Sequence, residues 1–234
     1  MAGLRGLPDT RPSVVYRNEH APREVLPLLW QGGEDPLDEA SFFASRGIGH
    51  VVSVCEKPCA ATLTQGGSPA ALTEERRAPE LTVELTVLHI PLDDTPSSDL
   101  LSRLPSAVAF IHEARLHGSG VYVHCQQGVS RSSTCTLGYL MAHLGLGLNR
   151  AWHYLLRRKE YAAPNPGFER QLREFEAAVL PAWPRRVEGE ETARLRESDL
   201  EFVAQTLAER PDSSWVDGGE RAGLQDLGYG GPRL

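Results

Sequence analysis

The most constraining stretch of this chain is residues 121–144, where a short apolar run, Val121-Tyr122-Val123-His124, gives way after a brief loop to helical spacing over 132–144. A buried strand joined so closely to a helix belongs to an α/β unit, in which the two lie side by side.

The flanking sequence repeats the pattern. Residues 26–31, LPLLWQ, and 50–55, HVVSVC, read as strands, and alternation across 81–90, LTVELTVLHI, gives another. Helical spacing covers 37–46, closed by Gly47, and 100–117. Beyond 132–144, Asn149 is placed to cap a helix through 161, and Asn165-Pro166 opens one reaching 179. The expected fold is α/β, a central mostly parallel sheet flanked by helices, with a largely helical carboxyl half. Residues 56–80, with Pro58, Gly66, Gly67, Pro69 and Pro79, are expected to form a long surface loop.

A chain of 234 residues suits one core with tails. Residues 1–21 read as a flexible segment, with an edge strand at Val14-Val15-Tyr16. Residues 22–182 read as the folded domain, which Pro181 and Pro184 close. Residues 183–234 read as a charged helix over 188–209, with Leu200, Val203 and Leu207 on one face, followed by a Gly-rich disordered tail.

No run approaches the roughly 20 apolar residues of a membrane helix. The first residues lack the apolar core of a signal peptide, and Ala2 stands where N-myristoylation needs glycine, so no membrane partner is expected. A net charge of −7 argues against nucleic acid, which is gripped by clustered lysine and arginine. Cys55, Cys59, Cys125 and Cys135 form no CxxC pair and no zinc spacing. Free thiols fit a reducing compartment, so a cytoplasmic or nuclear location is expected, with no metal and no cofactor.

The loop after residues 121–124, Cys125-Gln126-Gln127-Gly128-Val129-Ser130-Arg131-Ser132, has a phosphate-binding layout. Backbone N–H groups from Gln126 to Arg131 can curl round one oxyanion, and the next helix adds the positive end of its dipole. Gly128 permits the tight curl. Arg131, across the loop from Cys125, can hold two phosphoryl oxygens in a bidentate grip. The same donors favour a thiolate, the form of Cys125 that attacks phosphorus. Cys125 is therefore the candidate nucleophile, Arg131 and the loop amides the candidate charge stabilisers, and Ser132 the candidate donor to the departing sulfur. His124 is expected to order the loop through hydrogen bonds rather than act as a base.

HCQQGVSRSS resembles the signature of cysteine-based protein tyrosine phosphatases, specifically the dual-specificity branch. The resemblance extends to EVLPLLWQGG, FFASRGIGHVVSV and NPGFERQL, and so covers roughly residues 22–180. It implies the phosphotyrosine protein phosphatase fold and metal-independent removal of phosphate from tyrosine and from serine or threonine in proteins, through a phosphocysteine. Partners would then be phosphorylated proteins, kinases among the candidates, and the chain is expected to be a monomer. Only about twenty residues precede the domain, so a small, atypical member is expected, without the amino-terminal module that docks mitogen-activated kinases. Neutral Gln126 and Gln127 disfavour phosphoinositides, for which relatives place lysines there. Ser130 stands where RNA-triphosphatase relatives carry asparagine. The other class of reading is a scaffold that only holds phosphorylated ligands; such relatives lose the nucleophile, which this chain keeps.

The leaving oxygen needs a proton, and HIPLDDTPSSDL, residues 89–100, offers carboxylates on a separate loop. The resemblance matches Asp94 to the general acid, with Asp93 as alternate, whereas Asp99 fits a helix cap. Asn165 is expected to combine capping with positioning of the loop. Relatives also suggest a Cys55–Cys125 disulfide on oxidation, set against a plain buried thiol at Cys55, and substrate contact by Arg157, Arg158 and Lys159, set against simple helix-terminus stabilisation. Cys135, a turn into its helix, is expected in the core.

Overall fold

Short hydrophobic runs build the sheet in this computed structural model, which describes residues 20–65, 81–181 and 189–209. Strands β1 (Arg23–Leu26) and β2 (Leu29–Gly32) form a hairpin, and α1 (Ala40–Ser45) leads to β3 (Ile48–Ser53). Strands β4 (Thr62–Gln65) and β5 (Leu81–Glu84) pair with each other apart from the main sheet, which the chain rejoins at β6 (Thr86–His89). There follow α2 (Leu104–Leu116), β7 (Gly120–His124), α3 (Arg131–Leu144), α4 (Leu148–Arg158), α5 (Pro166–Val179) and α6 (Glu190–Glu209). The main sheet has the order β1-β2-β7-β3-β6, and every pairing except that of β1 with β2 is parallel.

All five residues of β7 are buried because both of its faces are covered. Val121 and Val123 point to the layer formed by α2 through α6. Tyr122 points the other way and meets Phe42 and Phe43 of α1 edge-on, with ring centroids 5.5 and 5.9 Å apart. Helix α3 is buried along its whole length, yet its first two turns carry Ser132, Ser133, Thr134 and Thr136 with no exposed surface. Polar groups that deep need partners, and several find them in the preceding loop. Open α/β sheets present ligands at the carboxyl ends of their strands, and β7 ends at His124, directly before the loop.

Several elements differ from the sequence reading. Residues 26–31 are a hairpin rather than one strand, because Pro27 sits inside the run and Leu28 takes a left-handed turn at φ 64°. Residues 81–90 change partner at Leu85, whose N–H bonds Ala61 O, so one alternating pattern serves two sheets. The expected loop 56–80 contains β4, held by Thr-Leu-Thr alternation against β5. Helix α4 is capped at Gly147 rather than Asn149: Leu148 N–H is taken by Glu176 Oε1 of α5 at 2.7 Å, and the helix ends at Arg158 instead of 161. The 100–117 helix opens with a 3-10 turn, Leu101–Arg103. Residues 1–19 with their expected edge strand, 66–80 of the expected loop, 182–188 with the expected domain end and the start of the charged helix, and 210–234 of the expected tail lie outside the described residues.

The expected charged helix is α6, and it packs into the core through Leu200 and Val203, with Leu207 partly buried beside them. What seats it is a buried ionic network. Asp199 receives a bidentate grip from Arg115 of α2, Nη2 to Oδ1 at 2.7 Å and Nη1 to Oδ2 at 2.8 Å, and a further bond from His143 Nε2 at 2.8 Å. The same guanidinium reaches Pro27 O in the β1–β2 turn at 2.7 Å and Tyr139 OH at 2.9 Å. Burial pushes the Asp199 carboxyl up, but donation from His143 and Arg115 outweighs it and holds the group below its ordinary value. Both ions of the pair have fully buried side chains, so removing either leaves the other stranded. Asp199→Ala is expected to cost about 3–5 kcal/mol in urea unfolding, whereas Arg115→Met combined with Asp199→Leu loses much less.

Candidate active site

The cradle is the turn from the end of β7 into α3. Cys125 is 1 % exposed, and its sulfur accepts the Gly128 N–H at 3.2 Å and lies 3.4 Å from Ser132 Oγ. Gln126 and Gln127 are exposed on the rim, while Gly128, Ser130 and Arg131 are buried. Gly128 has φ 75°, and a Cβ there would fall 2.3 Å from the Gly32 carbonyl carbon, so both backbone angle and space demand glycine.

The loop's carbonyls are held from outside. Gln126 O accepts Glu34 N–H at 3.1 Å, Val129 O accepts Ala163 N–H at 2.9 Å and Ser133 Oγ–H at 2.5 Å, and Ser130 O accepts Thr134 N–H and Oγ1–H, each at 2.9 Å. In a planar trans peptide the N–H points opposite to the C=O, so holding carbonyls outward turns the amides inward. That is the arrangement an oxyanion needs.

Arg131 joins the cradle to the acid loop. Its Nη1 donates to Leu92 O at 3.0 Å, and its Nε lies 3.6 Å from Asp94 Oδ2. Asp94 Oδ1 also accepts from Ser130 Oγ at 2.7 Å and from Asn165 Nδ2 at 2.8 Å. Of the two adjacent carboxylates, Asp94 is thus the one brought to the cradle. Asp93 faces an open cleft of about 450 Å³ that it lines with Glu56 and Asp99. Asp99 accepts Ser102 N–H at 3.0 Å, the capping role expected for it, and this donation holds its carboxyl below the ordinary value.

Asn165 does both of the things expected of it. Its Oδ1 caps α5 by accepting Gly167 N–H at 2.9 Å and Phe168 N–H at 3.0 Å, while its Nδ2 holds Asp94 and its own N–H bonds Ser130 Oγ. Next to it, a Cβ on Gly167 would lie 2.0 Å from Pro96 O, so the acid loop rests directly on the start of α5. The sequence reading did not find the Ser130–Asp94 bond. Ser130 entered it only as a cradle residue, and a contact made across 36 positions leaves no local pattern.

His124 is 1 % exposed and stacks on Tyr122, with centroids 5.8 Å apart and planes 11° from parallel. Stacking thus helps to set its place, with the Cys125 backbone beside it as a hydrogen-bond partner. Burial, reinforced by the Arg131 charge, lowers its pKa to about 4, against the opposing effect of a Cys125 backbone contact. The buried imidazole is therefore neutral at pH 7.

Cys55 lies close enough to the cradle that Cys125 and Arg131 both influence it. Burial first, and Cys125 second, push its thiol up to about 12. All four cysteines are free thiols, and Cys135, in the core as expected, is likewise pushed to about 12, chiefly by burial. Of the basic stretch, Arg158 Nε bonds Glu24 O at 2.7 Å with its guanidinium 5.0 Å over the Phe202 ring, and Lys159 is 1 % exposed. Among the described residues no group of three or more His, Cys, Asp or Glu could hold a metal ion. No helix among them is long and apolar enough to cross a membrane.

Residues 68–178 match the family described as dual specificity phosphatase, catalytic domain. Dual specificity protein phosphatase 22 of Mus musculus is 31 % identical over 184 residues, covering 77 % of this chain and 89 % of that protein. This chain belongs to the dual-specificity phosphatase family. Among solved structures of the family, human DUSP28 superposes with a TM-score of 0.56 at 28 % identity, over 68 % of this chain and 94 % of that one. A mouse putative dual specificity phosphatase, solved in complex with zinc tungstate, gives 0.59 at 26 %, over 74 % and 96 %. Dual specificity protein phosphatase 5 of Rattus norvegicus is 32 % identical over 74 % of this chain but only 41 % of its own length, so this chain spans about two fifths of that relative.

Burial of His124 couples stability to pH. Its folded pKa lies below the ordinary 6.5, so as the pH falls the unfolded chain takes up the proton first and stability is lost between about 6.5 and 4. Unfolding free energy is expected to drop by roughly 1.5 kcal/mol from pH 6.5 to 5.0 on this account. His143, also lowered by burial, adds to the same trend. In His124→Gln the slope of urea midpoint against pH should flatten; an unchanged slope would remove His124 as its source.

Proposed function

We propose that this chain hydrolyses phosphate monoesters on tyrosine and on serine or threonine of phosphorylated proteins, through a phosphocysteine on Cys125. The observation that carries the reading is the sulfur's position, under the Gly128 N–H and Ser132 hydroxyl at the mouth of α3, with Arg131 in the same turn.

In the first step the Cys125 thiolate attacks phosphorus, the S–P bond forms and the ester P–O bond breaks. Asp94 gives its proton to the leaving oxygen. The loop amides and the Arg131 guanidinium carry the charge on the equatorial oxygens. In the second step water attacks the phosphocysteine, Asp94 takes its proton, and the S–P bond breaks to release phosphate. Ser132, 3.4 Å from the sulfur, donates to the departing thiolate. Ser130 and Asn165 hold Asp94 beside the cradle for both transfers.

Gln126 and Gln127 on the rim are neutral and exposed, which supports a protein phosphoester over a polyphosphorylated lipid headgroup. A panel of phosphopeptides, phosphoinositides and triphosphate RNA distinguishes these, and faster turnover of either of the latter two would overturn the substrate class.

Hydrolysis of an aryl phosphate in the presence of chelator is expected for the wild-type chain and abolished in Cys125→Ser. For Asp94→Asn, kcat on phosphoprotein should fall by about 10²-fold or more, with oxyanion affinity nearly intact. Equal turnover by Asp94→Asn and wild type would remove Asp94 from the role.

A further inference from the structure

Gln31 is a polar residue in a place built for apolar ones. It lies on β2 beside Val123 of β7 and two residues from Leu29, both part of the main core, and has no exposed surface. Its Nε2 donates to Gly128 O at 3.2 Å and to Ser133 Oγ at 2.8 Å. Its Oε1 is out of solvent and has no hydrogen-bond partner. A buried acceptor left unpaired destabilises the fold, a cost an apolar side chain of the same size would avoid. The amide orientation is fixed by its surroundings, since turning it over would set Oε1 against the Gly128 carbonyl.

Both bonds act on the anion loop from beneath. The first holds the carbonyl of the Gly128–Val129 peptide. The second holds the Ser133 hydroxyl, which in turn donates to Val129 O, the carbonyl of the next peptide. Because N–H and C=O point in opposite directions in each plane, these two tethers aim the N–H groups of Val129 and Ser130 to the other side of the loop.

We infer that Gln31 is a positioning residue of the anion cradle, which fixes the Val129 and Ser130 amides toward a tetrahedral oxyanion through Gly128 O and Ser133. The inference rests on the phosphatase reading of the cradle and deepens it. Gln31 touches neither substrate nor sulfur; it removes the freedom of two donors to turn away, so its effect falls on oxyanion binding. Ser133 is the relay, which also accounts for a fully buried serine in the first turn of α3.

The test is calorimetric titration of sodium tungstate into the full chain and its variants, with aryl phosphate kinetics alongside. Gln31→Leu keeps the volume and removes the donor, and Gln31→Glu keeps the shape and puts an acceptor in its place. Each is expected to weaken tungstate affinity about 10-fold or more and to raise KM with a smaller change in kcat, while cooperative urea unfolding is retained. Wild-type tungstate affinity in either folded variant would overturn the inference, since loss of core packing alone does not select for anion affinity. Should neither variant fold, NMR of the wild type decides. Tungstate is expected to slow exchange of the Gln31 side-chain amide protons, and unchanged exchange on saturation overturns the role. Titration needs no turnover, so a wild-type chain that binds tungstate and hydrolyses nothing defeats the proposed activity while the Gln31 comparison still stands or falls by itself.

Discussion

Several backbone N–H groups must converge on one point, so the carbonyls on the far side of the same peptide planes must be held by something else. That single demand explains why the ten residues around Cys125 draw on so much of the chain. Glu34 after β2, Gln31 within β2, Ala163 before α5 and the polar first turns of α3 each take one or more of those carbonyls. It also explains the polar start of an otherwise core helix, since Ser133 and Thr134 spend their hydroxyls on the loop. Gly128 is pressed onto Gly32 because the hairpin must come that close to reach the loop at all.

The acid loop obeys a related constraint. The carboxyl proposed to give and then take a proton must stand beside the cradle without belonging to it. Asp94 meets this by being held from three directions: Ser130 of the loop, Asn165 at the cap of α5, and the Arg131 guanidinium. Asn165 thus serves a helix terminus and a catalytic candidate with one side chain, its oxygen turned to the backbone and its nitrogen to Asp94.

What could be read from sequence follows the range of the interactions. The run 121–132 was legible because strand, loop and helix there are consecutive and each residue type answers a local chemical need. The cap at Asn165-Pro166 was legible for the same reason. Strand 26–31 was misread because apolar content outweighed Pro27, and strand 81–90 because alternation shows which face a residue takes but not which partner strand it meets. Asp94 was separated from Asp93 by resemblance alone; the bonds that bring it to the cradle cross 36 and 71 positions. Gln31 had no signal of its own, since an amide at the end of an apolar strand looks like the strand's edge until the loop folds over it. Asp199 was invisible as a core residue, because a charge in a charged helix is ordinarily solvated.

That last residue has a consequence for how the molecule comes into being. Through one guanidinium, Asp199 is joined to the turn at Pro27, so nearly the first described strand and the last described helix share a fastening. During synthesis Arg115 emerges well before its counter-ion, and contacts of such long range are slow to form. The nascent domain therefore carries an unneutralised cation and an uncovered apolar strip, awaiting Leu200 and Val203, until α6 has cleared the ribosome.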